Sequence, residues 1–93
     1  MSNMNQEDIV RVSNYLDAME IKHTIEKENN TILIDRTSIV NNFPSLTEED
    51  SYAALRERLN KSYGGQLGIS CAPCFIYVAK SDEWLMLDKI PCK

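Results

Sequence analysis

Apolar residues near the start of the chain recur at helical spacing. Ile9, Val12, Leu16 and Met19 are separated by three, four and three positions, with Tyr15 beside them. At 100° per residue these side chains fall within a stripe about 120° wide, so residues 6–20 are predicted to form a helix with one buried face. Asn5 is placed to cap it, and Glu7 and Asp8 occupy the first turn, where the helix dipole favours acids. The period then shortens to two. Ile21, His23 and Ile25 fall on one side of an extended segment, and Lys22, Thr24 and Glu26 on the other. Glu28-Asn29-Asn30 supplies turn residues, and Thr31-Ile32-Leu33-Ile34-Asp35 is rich in β-branched side chains, which together predict a β-hairpin.

Residues 36–44 carry no clear period. Ile39-Val40 reads as a short strand or turn, with Phe43 before Pro44 anchoring the connection. Beyond it, Thr47-Glu48-Glu49-Asp50 has the form of a capping box, a hydroxyl followed three residues later by an acid. Tyr52, Leu55, Leu59 and Tyr63 mark the buried stripe of this second helix, and its charges run from acids at the start to Arg56, Arg58 and Lys61 toward the end. Gly64-Gly65 is expected to stop it and leave 66–70 as loop. Two aromatic and β-branched runs, 75–79 and 84–87, flank Ser81-Asp82-Glu83 and predict a second hairpin centred near Asp82. The order α-β-β-α-β-β predicts one α+β domain over residues 1–93, an antiparallel sheet with two helices on one face.

The second hairpin changes the picture most, because both of its faces are apolar. With a two- or four-residue turn, Phe75, Tyr77, Trp84 and Met86 share one face and Ile76, Val78, Leu85 and Leu87 share the other. A three-residue turn regroups them, and both faces remain apolar. Two helices cover one face of a sheet, so the other stays open to water unless it is covered by segment 36–46 with its Phe43, or by a partner. Tyr, Trp, Phe and Met are the types enriched in protein interfaces. Phe75, Tyr77, Trp84 and Met86 are therefore the candidate partner-binding residues, with Asp82 and Glu83 at the rim.

Composition agrees with a folded domain: 93 residues, 43% hydrophobic and 26% charged. A chain this short buries roughly 60–65% of its unfolded surface, enough for one modest core. Ten basic residues against fourteen acidic give a net charge of −4, which disfavours a phosphate-tracking nucleic-acid binder or an anionic membrane surface. The first eight residues hold neither a cationic region nor an apolar stretch, so no export signal is read and the reducing cytoplasm is the expected location.

All three cysteines lie in the C-terminal third, at 71, 74 and 92. A hairpin turning near Asp82 places position 72 opposite Cys92, which gathers the thiols. Cys71-Ala72-Pro73-Cys74 has the C-x-x-C form of redox dithiols. Those motifs open a helix whose N-terminus lowers the thiol pKa, whereas this one leads into a strand. Cys71, Cys74 and Cys92 also resemble three quarters of a zinc ribbon, and a fourth ligand would come from His23, Asp88 or a partner. The preferred reading is structural, since free cysteine packs as a small apolar residue. No cofactor is then expected, with zinc as the alternative.

Nothing else assembles a catalytic set. His23 is the one histidine, and its neighbours Lys22 and Thr24 add no support to a role as base. The acid pairs Glu48/Glu49 and Asp82/Glu83 fall at a helix start and a turn tip, where solvated carboxylates are ordinary. Gly64-Gly65-x-x-Gly68 follows a helix rather than leading into one and lacks the Lys-Ser/Thr of a phosphate loop. The expected function is a small acidic protein-binding module of regulator, inhibitor or adaptor type, acting alone or as a homodimer and not as an enzyme.

Overall fold

The computed structural model describes residues 4–67 and 74–90. The order is α1 (Gln6–Ala18), β1 (His23–Glu26), β2 (Thr31–Asp35), α2 (Arg36–Asn42), α3 (Glu48–Leu67), β3 (Cys74–Ala79) and β4 (Trp84–Ile90). The strands form one antiparallel sheet in the order β1-β2-β4-β3. The predicted α+β class and hairpins are present, with a third helix added.

Local chemistry accounts for the element ends. The Asn5 side chain accepts from the Asp8 N–H at 2.8 Å and caps α1. At the other end Glu20 donates to Asp17 O and Ile21 donates to Leu16 O, with Glu20 at φ 60°. That bond pair is a Schellman ending, and the buried Ile21 and Leu16 belong to the same core cluster. Asn30 closes the first hairpin at φ 50°, the left-handed conformation that asparagine tolerates.

Residues 36–42 are helical where a short strand or turn was expected. The cause is Asp35, the last residue of β2, whose Oδ2 accepts from both the backbone N–H and the hydroxyl of Ser38, each at 3.0 Å. That N-cap starts a helix directly at the strand end, a signal the weak apolar period of the segment concealed. Ile39 and Phe43 then enter the main core. α3 also runs through Gly64-Gly65 to Leu67 instead of stopping there. Glycine permits a left-handed ending without compelling one, and each costs a helix only about 1 kcal/mol.

The three helices lie on one face of the sheet. Val12 and Leu16 of α1, Ile39 of α2 and Leu55 and Leu59 of α3 join Ile32, Ile34, Phe75, Leu85 and Leu87 in one buried cluster. Arg58 lays its guanidinium over the Phe43 ring, 4.9 Å from its centroid, and closes that core from α3. Segment 36–46 thus adds to the helical layer and does not cover the second sheet face.

Candidate functional site

The C-terminal hairpin turns through three residues, Ser81-Asp82-Glu83. Lys80 donates its N–H to Trp84 O at 3.2 Å, and Ala79 pairs with Leu85, Val78 with Met86 and Tyr77 with Leu87. The Ser81 hydroxyl accepts from the N–H groups of Glu83 and Trp84 and holds the turn. Its centre is Asp82, as the sequence indicated, and an odd-numbered loop decides how the side chains sort. Phe75 and Tyr77 fall with Leu85 and Leu87, facing the helices. Ile76 and Val78 fall with Trp84 and Met86, facing away.

This regroups the candidate partner-binding residues. Phe75 is 2% exposed and belongs to the core. Tyr77 packs on Tyr52 of α3, ring centroids 6.3 Å apart, and burial pushes its phenol well above the ordinary tyrosine range, with Arg56 opposing weakly. Tyr52 is raised too, by burial first and by the Glu48 carboxylate second. Neither Phe75 nor Tyr77 shares a surface with Trp84 and Met86. Asp82 and Glu83 are exposed at the turn, beside Trp84.

The register extends the outer face across all four strands. Met86 pairs with Leu33, and Leu33 with Thr24, so Thr24, Leu33, Met86 and Val78 form its middle row. Trp84 lies in the next row, opposite Asp35, and Ile76 in the other, opposite Asp88. Leu33 is absent from the residues expected on this face, although its place is legible in the sequence: it alternates with the core residues Ile32 and Ile34. Val78 is 42% exposed, and Leu33, Ile76, Trp84 and Met86 are partly so. Among the described residues no helix packs on this face.

Two contacts made by long charged side chains lie over it. Lys22 of the segment leading into β1 places its ammonium 5.9 Å from the centre of the Trp84 ring. Lys80 and Glu26, at diagonal corners of the sheet, form an ion pair. Both belong to the outer face by register, so the sheet twist that brings them together also bends that face around Leu33 and Met86. The Lys80 hydrogen bond, then that of Asn29, holds the Glu26 carboxyl below the usual range. The aliphatic stems lie along apolar surface while the charges stay wet. Neither contact is readable in the sequence, because it depends on strand order.

His23 has a structural explanation. Its Nδ1 lies 2.9 Å from Ile21 O and its Nε2 lies 2.7 Å from Ser13 Oγ. A carbonyl only accepts, so Nδ1 turns a proton toward Ile21 O, and Nε2 shares a hydrogen bond with the serine hydroxyl. Ser13 sits inside α1, where the surrounding N–H groups are spent on the helix, and Asp17 lies 3.9 Å from the same Nε2 rather than from Nδ1. The pair therefore ties β1 to α1.

Of the proposed metal ligands, Cys71 and Cys92 lie outside the described residues. Cys74 begins β3 and pairs with Ile90, and His23 stands on β1 at the opposite edge. Three strand spacings separate those edges, roughly 14 Å, so the sheet does not bring His23 to Cys74. Asp88 pairs with Ile76 on the outer face. Among the described residues no group of three metal-ligating side chains forms, and no helix is long and apolar enough to cross a membrane.

Comparison with protein families, curated proteins and solved structures finds no match for this chain. Its function is therefore read from the geometry of the sheet.

Proposed function

We propose that the protein is a small acidic binding module of the cytoplasm, a regulator, inhibitor or adaptor that captures another protein on the outer face of its sheet. One observation supports this reading above the rest. The three-residue turn and the pairing of β2 with β4 set Leu33, Ile76, Val78, Trp84 and Met86 together on a face that no described helix covers. An apolar patch containing tryptophan and methionine, edged by charge, has the composition of an interface centre and its rim. Lys22, Lys80 and Glu26 supply charges of both signs around the patch, and Asp82 and Glu83 add acids at the turn.

Trp84 is the anchor. Truncating a buried interface tryptophan typically removes about 2 kcal/mol or more, roughly 30-fold in affinity. Trp84→Ala is therefore expected to keep the helical circular dichroism and cooperative melting of the wild type while losing at least that much partner affinity. The check is capture on immobilised wild type and variant, followed by affinity measurement on whatever the wild type retains. Equal retention by the two folded proteins would remove the basis for this reading.

A further inference from the structure

We propose that β3 pairs edge to edge with β3 of a second copy, antiparallel about a twofold axis at Val78, joining two sheets into one of twice the width. The proposal draws on the strand edge and goes beyond the Trp84 face, so it stands whether or not that face captures a partner.

The hydrogen-bond phase of the hairpin shows which backbone groups of β3 turn away from β4. Lys80 bonds Trp84, so by alternation Val78 and Ile76 also turn their backbone groups toward β4. Phe75, Tyr77 and Ala79 turn theirs away. An independent contact agrees with this phase: the Phe75 N–H donates outward, to Asn60 Oδ1 of α3, at 2.9 Å. Tyr77 and Ala79 thus present donors and acceptors on a side where no described strand lies.

Edge strands are usually guarded by charge or proline. The other edge is guarded: β1 contains Glu26 and is flanked by Lys22 and Lys27. β3 reads Cys-Phe-Ile-Tyr-Val-Ala and holds neither a charge nor a proline within the strand, with Pro73 and Lys80 next to it in the sequence. Pairing this strand with itself opposes no like charges within it.

The register follows from Asn60 and from Ser81, whose N–H is spent on Trp84 O within the turn and so cannot complete a pair with Tyr77 about an axis at Ala79. A twofold axis at Tyr77 would need the Phe75 N–H that Asn60 already occupies. Moving the axis to Val78 sets Tyr77 opposite Ala79 of the second copy, and Ala79 opposite its Tyr77, and both pairs form in full with Asn60 undisturbed. Val78 then meets Val78 of the second copy as a non-hydrogen-bonded pair, the closer kind, with Cβ atoms about 4.5–5.5 Å apart. Among the described residues Val78 is the most exposed large apolar side chain of the sheet, at 42%. Ile76 comes to lie against the stem of the second copy's Lys80.

Opposite charges at the twofold axis test this directly. Sedimentation over a concentration series should show a wild-type dimer. Val78→Glu and Val78→Lys should each weaken association by about a hundredfold or more, since like charges then face each other. An equimolar mixture of the two should recover the dimer, which no other register achieves by direct opposition. Trp84→Ala should dimerise as the wild type does, separating this proposal from the partner-binding reading. Should either Val78 variant unfold, amide exchange in the wild type reads the same contact: Tyr77 and Ala79 should slow as concentration rises. A monomeric wild type, dimers in both folded single variants, a mixture of folded variants that stays monomeric, or exchange independent of concentration would overturn the proposal.

Discussion

Leu87→Ala is expected to remove about 2–5 kcal/mol of stability, the range for emptying a leucine site in a closed core. Leu87 is 0% exposed and sits on β4, an inner strand of the sheet, between Ile32 of β2 and Tyr77 of β3. A chain of this length has on the order of 5–10 kcal/mol in total, so the variant keeps a fraction of its folded margin at best. Urea unfolding should show a much lower midpoint with little change in slope. Met86→Ala is the internal contrast. Its side chain stands one residue away on the opposite face, partly exposed, and its loss should cost below about 1 kcal/mol. Similar losses for the two variants would mean that the hairpin does not point Leu87 inward and Met86 outward.

Lys89→Met should cost about 1–3 kcal/mol by leaving a carboxylate without its cation. Lys89 Nζ stands 2.7 Å from Asp8 Oδ2, and the pair links the end of β4 to the first turn of α1. Asp8 is 8% exposed, so water replaces the lost partner poorly, while the more open Lys89 keeps the effect below that of a fully buried pair. Methionine preserves most of the apolar stem and isolates the charge. Pairing it with Asp8→Asn closes a double-mutant cycle, and a coupling of about 1 kcal/mol or more is expected. A coupling near zero would class the contact with ordinary exposed ion pairs.

Much of this fold is legible in the sequence because local signals agree with one another. The stripe from Ile9 to Met19 marks α1, the Thr47-Glu48-Glu49-Asp50 run marks the start of α3, and the aromatic runs around Asp82 mark the last hairpin. Two local signals were weaker than the structure that formed. The Asp35–Ser38 cap makes a seven-residue helix where hydrophobic period is silent. Gly64-Gly65 is passed through because its cost is small against the length of α3.

The face carrying the proposed function was legible only up to the parity of one turn. Changing the loop by a single residue moves Phe75 and Tyr77 from beside Trp84 into the core, and no nearby residue fixes that choice in the sequence. Leu33 could have been added from its alternation with Ile32 and Ile34. The Lys80–Glu26 and Lys22–Trp84 contacts could not, since they follow from twist and strand order between distant segments.

Acrylamide quenching of the single tryptophan probes the outer face without altering it. Trp84 fluorescence should be quenched readily in the free protein and shielded once a captured partner is bound, because the ring belongs to the surface that the partner covers. Equal quenching in the free and bound states would contradict a protein-binding role for this side of the sheet.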